Sequence, residues 1–281
     1  MKNIGIVGLG LIGASLAKSA KKKGGFRIYG FDLDRSVTEY AILSGIIDNE
    51  LKDDTIEECE VIILSVYPEA TVNWLRENRN LIKKGTLVLD CGGVKRTICN
   101  EAFDIAKECG FDFIGGHPMA GTQQSGIKNS KDTLFHNACF VLVPKPSEDV
   151  YVLSKARELV ISLGFSRVSI MSAERHDELI AFTSQLAHVV SNAYVKSPAA
   201  LSHKGISAGS FRDLTRVAYL NENMWTELFL ANSDNLTKEI DILIDNLKAY
   251  RDALEKKDEN TLRDLLREGR EAKEESEKCN V

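Results

Sequence analysis

Gly8-Leu9-Gly10-Leu11-Ile12-Gly13 sets three glycines at the spacing G-x-G-x-x-G, directly after an apolar run and at the start of an amphipathic one. The first glycine permits a tight turn, the second lets the backbone approach a pyrophosphate, and the third lets a helix pack closely on a strand; the helix N-terminus attracts the phosphates. Asp32 stands 19 residues after Gly13, at the end of the next β-branched run. A carboxylate there accepts hydrogen bonds from ribose hydroxyls and repels a 2′-phosphate. The expected cofactor is therefore NAD. NADP is the alternative, because Arg35, just beyond this strand, could pair with a 2′-phosphate. Ser65 and Val66, which close the Val61–Val66 run, join Gly8, Gly10, Leu11, Ile12, Gly13, Asp32 and Arg35 as the expected cofactor-binding set.

A second constellation is Gly115-Gly116-His117-Pro118-Met119-Ala120-Gly121-Thr122, which follows a later strand. Removing a hydride from a carbon that bears a hydroxyl also requires removal of the hydroxyl proton. Neutral imidazole, with an ordinary pKa of about 6.5, suits that step near pH 7. His117 is the candidate base; the alternative is a histidine bonded to a backbone carbonyl. Further on, polar residues interrupt an otherwise apolar helix at Arg175-His176-Asp177-Glu178 and at Thr183-Ser184-Gln185-Leu186-Ala187-His188. Either histidine could equally be a satisfied core residue. In Gly209-Ser210-Phe211-Arg212-Asp213-Leu214-Thr215-Arg216 two arginines offer planar forks suited to carboxylates, or form an ordinary surface ion pair.

Positioning these groups falls to two kinds of element. Over the first 170 residues short β-branched runs (Asn3–Val7, Arg27–Phe31, Val61–Val66, Thr86–Asp90, Asp112–Gly115, Ala138–Val143, Arg167–Met171) alternate with amphipathic stretches starting at Leu11, Ser36, Glu69, Lys95 and Glu148. That rhythm predicts an α/β Rossmann-type domain, a doubly wound, mainly parallel sheet, over residues 1–170. After Met171 the strand signal stops, and 171–281 reads as an all-α domain. Ser172 is placed to cap a long helix running to about Lys196. Leu236, Ile240, Leu243, Leu247, Tyr250 and Leu254 recur in steps of four and three, the spacing of a helix–helix seam. With little interior of its own, this domain is expected to form a homodimer.

Composition narrows the classes further. Of 281 residues 43% are hydrophobic and 27% charged, with no run of about 18 apolar residues to span a membrane. A net charge of −5 without a dominant basic patch speaks against a nucleic-acid surface. The six cysteines lack C-x-x-C spacing, so neither a disulfide framework nor a metal site is expected. With no export signal at the start, the location expected is cytoplasmic.

These segments together resemble the prephenate dehydrogenase family, which includes the arogenate-using enzymes. The resemblance runs over essentially the whole chain. It rests on the Gly-rich turn, Asp90-Cys91-Gly92-Gly93-Val94-Lys95, the Gly-Gly-His-Pro-Met-Ala-Gly-Thr run, His176-Asp177 and Phe-Arg-Asp-Leu-Thr-Arg. It implies NAD-dependent oxidative decarboxylation of prephenate to 4-hydroxyphenylpyruvate in tyrosine biosynthesis, or of arogenate to tyrosine. His117 would accept the ring-hydroxyl proton, and Arg216 would bind a substrate carboxylate. His188, Arg212, Thr122 and Gln123 would lie on the substrate side, and His176 would be structural or gating. Three departures stand out. Gly93 replaces a frequent serine, Gln185 a frequent histidine, and Gln123 an acidic residue common in prephenate-preferring relatives. No regulatory module or mutase segment is expected, which leaves the bare dehydrogenase. A reductase of imines or β-hydroxy acids would leave the His117 run unexplained. A non-catalytic NAD sensor would leave His117, His188 and Arg216 without a use.

Overall fold

The computed structural model describes residues 2–122, 124–202, 206 and 208–278. Among these, eight strands form one sheet: β1 Lys2–Val7, β2 Phe26–Phe31, β3 Asn49–Glu50, β4 Val61–Leu64, β5 Leu87–Asp90, β6 Asp112–Pro118, β7 Cys139–Val143 and β8 Arg167–Ile170. Their order is β3-β2-β1-β4-β5-β6-β7-β8. Every pairing is parallel except β6 with β7. The helices α1 Leu11–Lys23, α2 Arg35–Leu43, α3 Asp53–Ile56, α4 Pro68–Asn78, α5 Arg96–Cys109 and α6 Val150–Ser162 make the crossovers. The predicted mainly parallel, doubly wound sheet is thus observed.

The central strands β4 and β5 are apolar along nearly their whole length because both faces are covered. Ile4, Ile6, Ile63, Leu87 and Leu89 enter the apolar layer on one face. Ile62, Leu64 and Val88 enter the layer on the other. Burial of each such side chain contributes about 2 kcal/mol. The strand order reverses between β1 and β4, and the turn after β1 and the segment after β4 therefore flank one crevice, where open α/β sheets bind ligands.

Two strands depart from expectation. β3 consists of two polar residues, Asn49 and Glu50, and carries no apolar signal. β6 runs through Gly115 and Gly116 to Pro118, so His117 lies in a strand opposite Val141 rather than in a loop. The glycines serve close packing here: a Cβ on Gly116 would sit 2.3 Å from the Asp90 carbonyl oxygen.

Ser172 caps the next helix, accepting from the Arg175 N–H at 3.2 Å. That helix comprises α7 Ala173–Ile180, a π-helical segment Ala181–Leu186 and α8 Ala187–Tyr194. α9 Gly209–Thr215 and α10 Glu222–Ala231 follow. The described residues up to Asn232 form one compact unit, and those from Ser233 onward form another. The second unit is a hairpin of α11 Ser233–Lys256 and α12 Glu259–Lys278, in which the Tyr250 hydroxyl donates to the Leu265 carbonyl at 3.1 Å. Along α11, Ile242, Ile244, Leu247 and Leu254 are exposed. No helix among the described residues is long and apolar enough to cross a membrane.

Candidate active site

At the sheet's reversal point the Gly8 backbone has φ +85°, and a Cβ there would meet the Ser65 carbonyl oxygen at 2.4 Å and Val66 Cγ1 at 2.6 Å. Only glycine fits this turn. A Cβ on Gly13 would strike the Gly8 carbonyl oxygen at 1.9 Å, whereas one on Gly10 would project into open space. No side chain caps α1 at Gly10. The turn therefore presents an uncapped helix N-terminus behind open backbone, the arrangement a pyrophosphate requires. Asp32 closes the site from β2. Its carboxylate accepts from the Leu9 N–H at 2.8 Å and the Asp34 N–H at 3.0 Å, and keeps further lone pairs for hydroxyl donors. Arg35 is exposed and donates from Nε to Glu39 at 2.9 Å, one helical turn along α2. These residues fit a dinucleotide whose oxidised nicotinamide, when bound, supplies a hydride acceptor.

The second cluster gathers at the ends of β5 and β6. His117 Nδ1 lies 2.9 Å from His176 Nε2, and His176 Nδ1 lies 2.7 Å from Asp177 Oδ1. A carboxylate only accepts, so the His176 proton resides on Nδ1 and its Nε2 is bare. His117 must then donate from Nδ1, which leaves its own Nε2 bare and able to take a proton. Asp177 is held by the Lys95 N–H at 2.7 Å and by Arg96 through its N–H at 2.9 Å and Nε at 3.3 Å.

Electrostatics agree with these protonation states. Burial, then the neighbouring His176, then Lys95 hold His117 well below the ordinary histidine pKa. Burial likewise lowers His176, against the raising effect of its bond to Asp177. For Asp177 burial acts upward, but the bonds from His176 and from the Arg96 and Lys95 backbone outweigh it and hold the carboxyl below its usual range. The product is a neutral imidazole pair on an ionised carboxylate.

Of the residues expected on the substrate side, His188 lies on α8, Arg212 on α9, Arg216 at the C-cap of α9 and Thr122 beyond β6. His188 donates from Nδ1 to the Ser184 carbonyl at 2.8 Å and stacks on Trp225 with ring centres 4.0 Å apart. Burial lowers its pKa, the Ser184 bond opposes that, and Arg216 lowers it further. Arg216 thus acts on His188 electrostatically, while Arg212 is exposed on α9. Thr122 donates to the Gln124 carbonyl at 2.8 Å. Gln123 lies outside the described residues.

Asn232, Trp225 and Leu228 were not singled out from the sequence, whereas Gln185 was, as a departure from the family pattern. Gln185 is buried and donates to the Leu228 carbonyl at 3.0 Å, while its Oε1 accepts from Asn232 at 2.8 Å. Asn232 also donates to the Asp177 carbonyl at 2.8 Å and accepts from Arg96 Nη2 at 2.9 Å. This amide network ties the π-helical segment and the end of α10 to the residues that hold Asp177. Where Gly93 replaces the expected serine, Leu228 takes up the space: a Cβ would lie 3.2 Å from its Cδ2. The roles of Trp225 and Asn232 left no trace in spacing, because His188 and Asp177, which they meet at the site, are distant from them in sequence.

Comparison with known proteins matches residues 16–168 to the family model for the prephenate dehydrogenase nucleotide-binding domain. Residues 172–268 match the model for the prephenate dehydrogenase dimerization domain. The chain is 32% identical to the prephenate dehydrogenase of Lactococcus lactis, over 98% of this chain and 77% of that protein. The Aquifex aeolicus prephenate dehydrogenase, solved with hydroxyphenyl propionate and NAD+, is 30% identical with a TM-score of 0.80, covering 98% of each chain. The Synechocystis arogenate dehydrogenase is 26% identical with a TM-score of 0.81, covering 98% of this chain and 99% of that one. The chain is a dehydrogenase and belongs to the prephenate dehydrogenase family.

Proposed function

We propose that this protein catalyses the NAD-dependent oxidative decarboxylation of prephenate to 4-hydroxyphenylpyruvate. The observation that carries this reading is the Asp177–His176–His117 chain, which leaves a bare Nε2 on a neutral imidazole. A ring hydroxyl placed at that nitrogen loses its proton to it as hydride leaves the same carbon. The ketone-like centre then draws the electron pair of the bond to the ring carboxylate, carbon dioxide departs, and the ring becomes aromatic. Proton gain by His117 is stabilised through its Nδ1–H bond to His176, whose own Nδ1–H rests on Asp177. Arg216 binds a substrate carboxylate with its planar fork, with Arg212, His188, Thr122 and Gln123 on the substrate side. Functionally the chain divides into residues 1–170, which hold the cofactor, and 171–281, which supply substrate groups and the homodimer contact. The apolar residues exposed along α11 support that contact. The unpaired cysteines among the described residues, two of them buried, fit a cytoplasmic enzyme.

Arogenate in place of prephenate is the second reading, favoured by the likeness to the Synechocystis enzyme. The test mixes the protein with NAD and either prephenate or arogenate and follows the absorbance of the reduced nicotinamide. Turnover with prephenate preferred is expected; no turnover with either compound would overturn the reading.

The preference for NAD over NADP rests on Asp32, fixed by two backbone donors at the end of β2, and on Arg35 being engaged by Glu39. Asp32→Ala should lower kcat/KM with NAD at least about tenfold more than with NADP, since it removes both the ribose acceptor and the charge that repels a 2′-phosphate. An unchanged ratio between the two cofactors, measured by steady-state kinetics, would contradict the assignment.

A further inference from the structure

Lys95 is a lysine with a fully buried side chain, and the steps above give the bonds of its ammonium no role. A charge so placed needs close partners. Its ammonium bonds the Asp90 carboxylate, also fully buried, and donates to the Gly116 carbonyl at 2.7 Å. Asp90 in turn accepts from the Gly92 N–H at 2.7 Å and the Gly116 N–H at 2.9 Å. The location explains the arrangement. β5 and β6 pair in register only as far as Leu89 and Ile114, and beyond that point the Asp90 and Lys95 side chains take over the polar groups of Gly116. From its backbone, Lys95 donates to Asp177 Oδ1 at 2.7 Å.

We propose that Lys95 is a positioning residue for the reaction: it grips the peptide that carries His117 with its ammonium and Asp177 with its backbone, and sets a positive charge beside the histidine pair. The inference rests on His117 being the base. The charged groups around the pair are Lys95 and Arg96 from the β5–α5 segment, Asp90 from the end of β5 and Asp177 from α7. Of these, Lys95 acts on His117 itself and opposes its protonation. Removing that charge makes the imidazolium easier to form, so the base is lost at a higher pH than before.

The experiment uses the full chain and two readouts, the pH profile of kcat/KM and the histidine Cε1–H NMR titration, with His117 assigned by comparison with His117→Asn. The wild-type His117 signal should titrate below about pH 6.5; a midpoint at or above that value overturns the inference without any variant. Lys95→Met strands the buried Asp90, so kcat is read in the neutral pair Asp90→Asn with Lys95→Met. It should lower kcat about tenfold or more with KM for NAD within about twofold. In Lys95→Met, which removes the positive charge alone, the acid limb and the NMR midpoint should rise together by about half a pH unit or more, and by less in the neutral pair, where the opposing Asp90 charge goes too. Lys95→Arg, which keeps the charge, should leave both midpoints in place. A folded Lys95→Met with unmoved midpoints, a folded neutral pair with near wild-type kcat, or a shift in Lys95→Arg would reduce Lys95 to a merely structural residue. Failure of the wild-type protein to turn over either substrate would instead sink the functional reading, and the NMR titration would still decide the coupling of Lys95 to His117.

Discussion

Replacing His117 with asparagine should lower kcat by about 10²-fold or more while KM for NAD stays near its wild-type value. The amide can still donate to His176 Nε2, which His117 bonds at 2.9 Å, so the neighbouring geometry has a partner to keep. It has no nitrogen that can accept a proton. The Nε2 directed at the ring hydroxyl is absent, and what is lost is the base, which appears in kcat. The pH dependence follows from the same environment. His117 is held well below the ordinary histidine pKa by burial, His176 and Lys95. It is neutral above that lowered pKa and protonated below it, so activity should persist under pH 6.5 and fail only further down. In His117→Asn this acid limb should vanish from the residual activity. A limb at or above pH 6.5 in the wild-type profile, or a variant within about threefold of wild-type kcat, would contradict the assignment.

Asp177→Asn should also cost about 10²-fold in kcat, though the residue never touches the reacting atoms. Its two oxygens receive four donors: the Lys95 N–H and His176 Nδ1 on Oδ1, the Arg96 N–H and Nε on Oδ2. An amide keeps one oxygen and turns the other into a donor. If the new N–H₂ faces His176, it meets the Lys95 N–H donor to donor and needs a bare Nδ1, which moves the His176 proton to Nε2. His117 must then present a bare Nδ1 and carry its proton on Nε2, so that the base becomes a donor to the substrate. If the amide turns round, donor meets donor at Arg96, and a buried bond is lost at about 1–3 kcal/mol. A carboxylate that fixes the tautomer of the working histidine directly is worth about 10⁴-fold; Asp177 acts on His117 through His176, so the smaller loss is expected. Steady-state kinetics and a thermal melt together check it. A folded Asp177→Asn with near wild-type kcat would remove Asp177 and His176 from the mechanism.

Much of the frame is legible in the sequence. Alternating β-branched and amphipathic stretches reveal the sheet because buried parallel strands are written as short apolar runs. The Gly8–Gly13 turn and Asp32 lie within one βαβ unit, so local spacing alone brings them together. β3 escaped because Asn49 and Glu50 pair through backbone only. The end of β6 escaped because Gly115 and Gly116 lack the side chains that signal a strand. At the site the residue types were visible but not their partnerships. His117 and His176 are 59 positions apart, and nothing in periodicity announces that their rings meet. Lys95 is a further case, since a lysine at the head of an amphipathic helix reads as solvated, and only the Asp90 carboxylate and Gly116 carbonyl make its full burial possible.

The π-helical segment at Ala181–Leu186 bears on how the two α7–α8 histidines share one side of their helix. His176 and His188 are twelve residues apart. On an uninterrupted α-helix twelve steps of about 100° would leave them about 120° apart in azimuth. A wide turn that absorbs one extra residue reduces the effective count to eleven steps, and the angle falls to about 20°. The histidine at the His117 pair and the histidine beside Trp225 then look out along nearly the same meridian, although a helical wheel drawn from the sequence would assign them to different faces. A register adjustment in one turn thus brings the side chain that meets His117 and the one that meets Trp225 onto a common line.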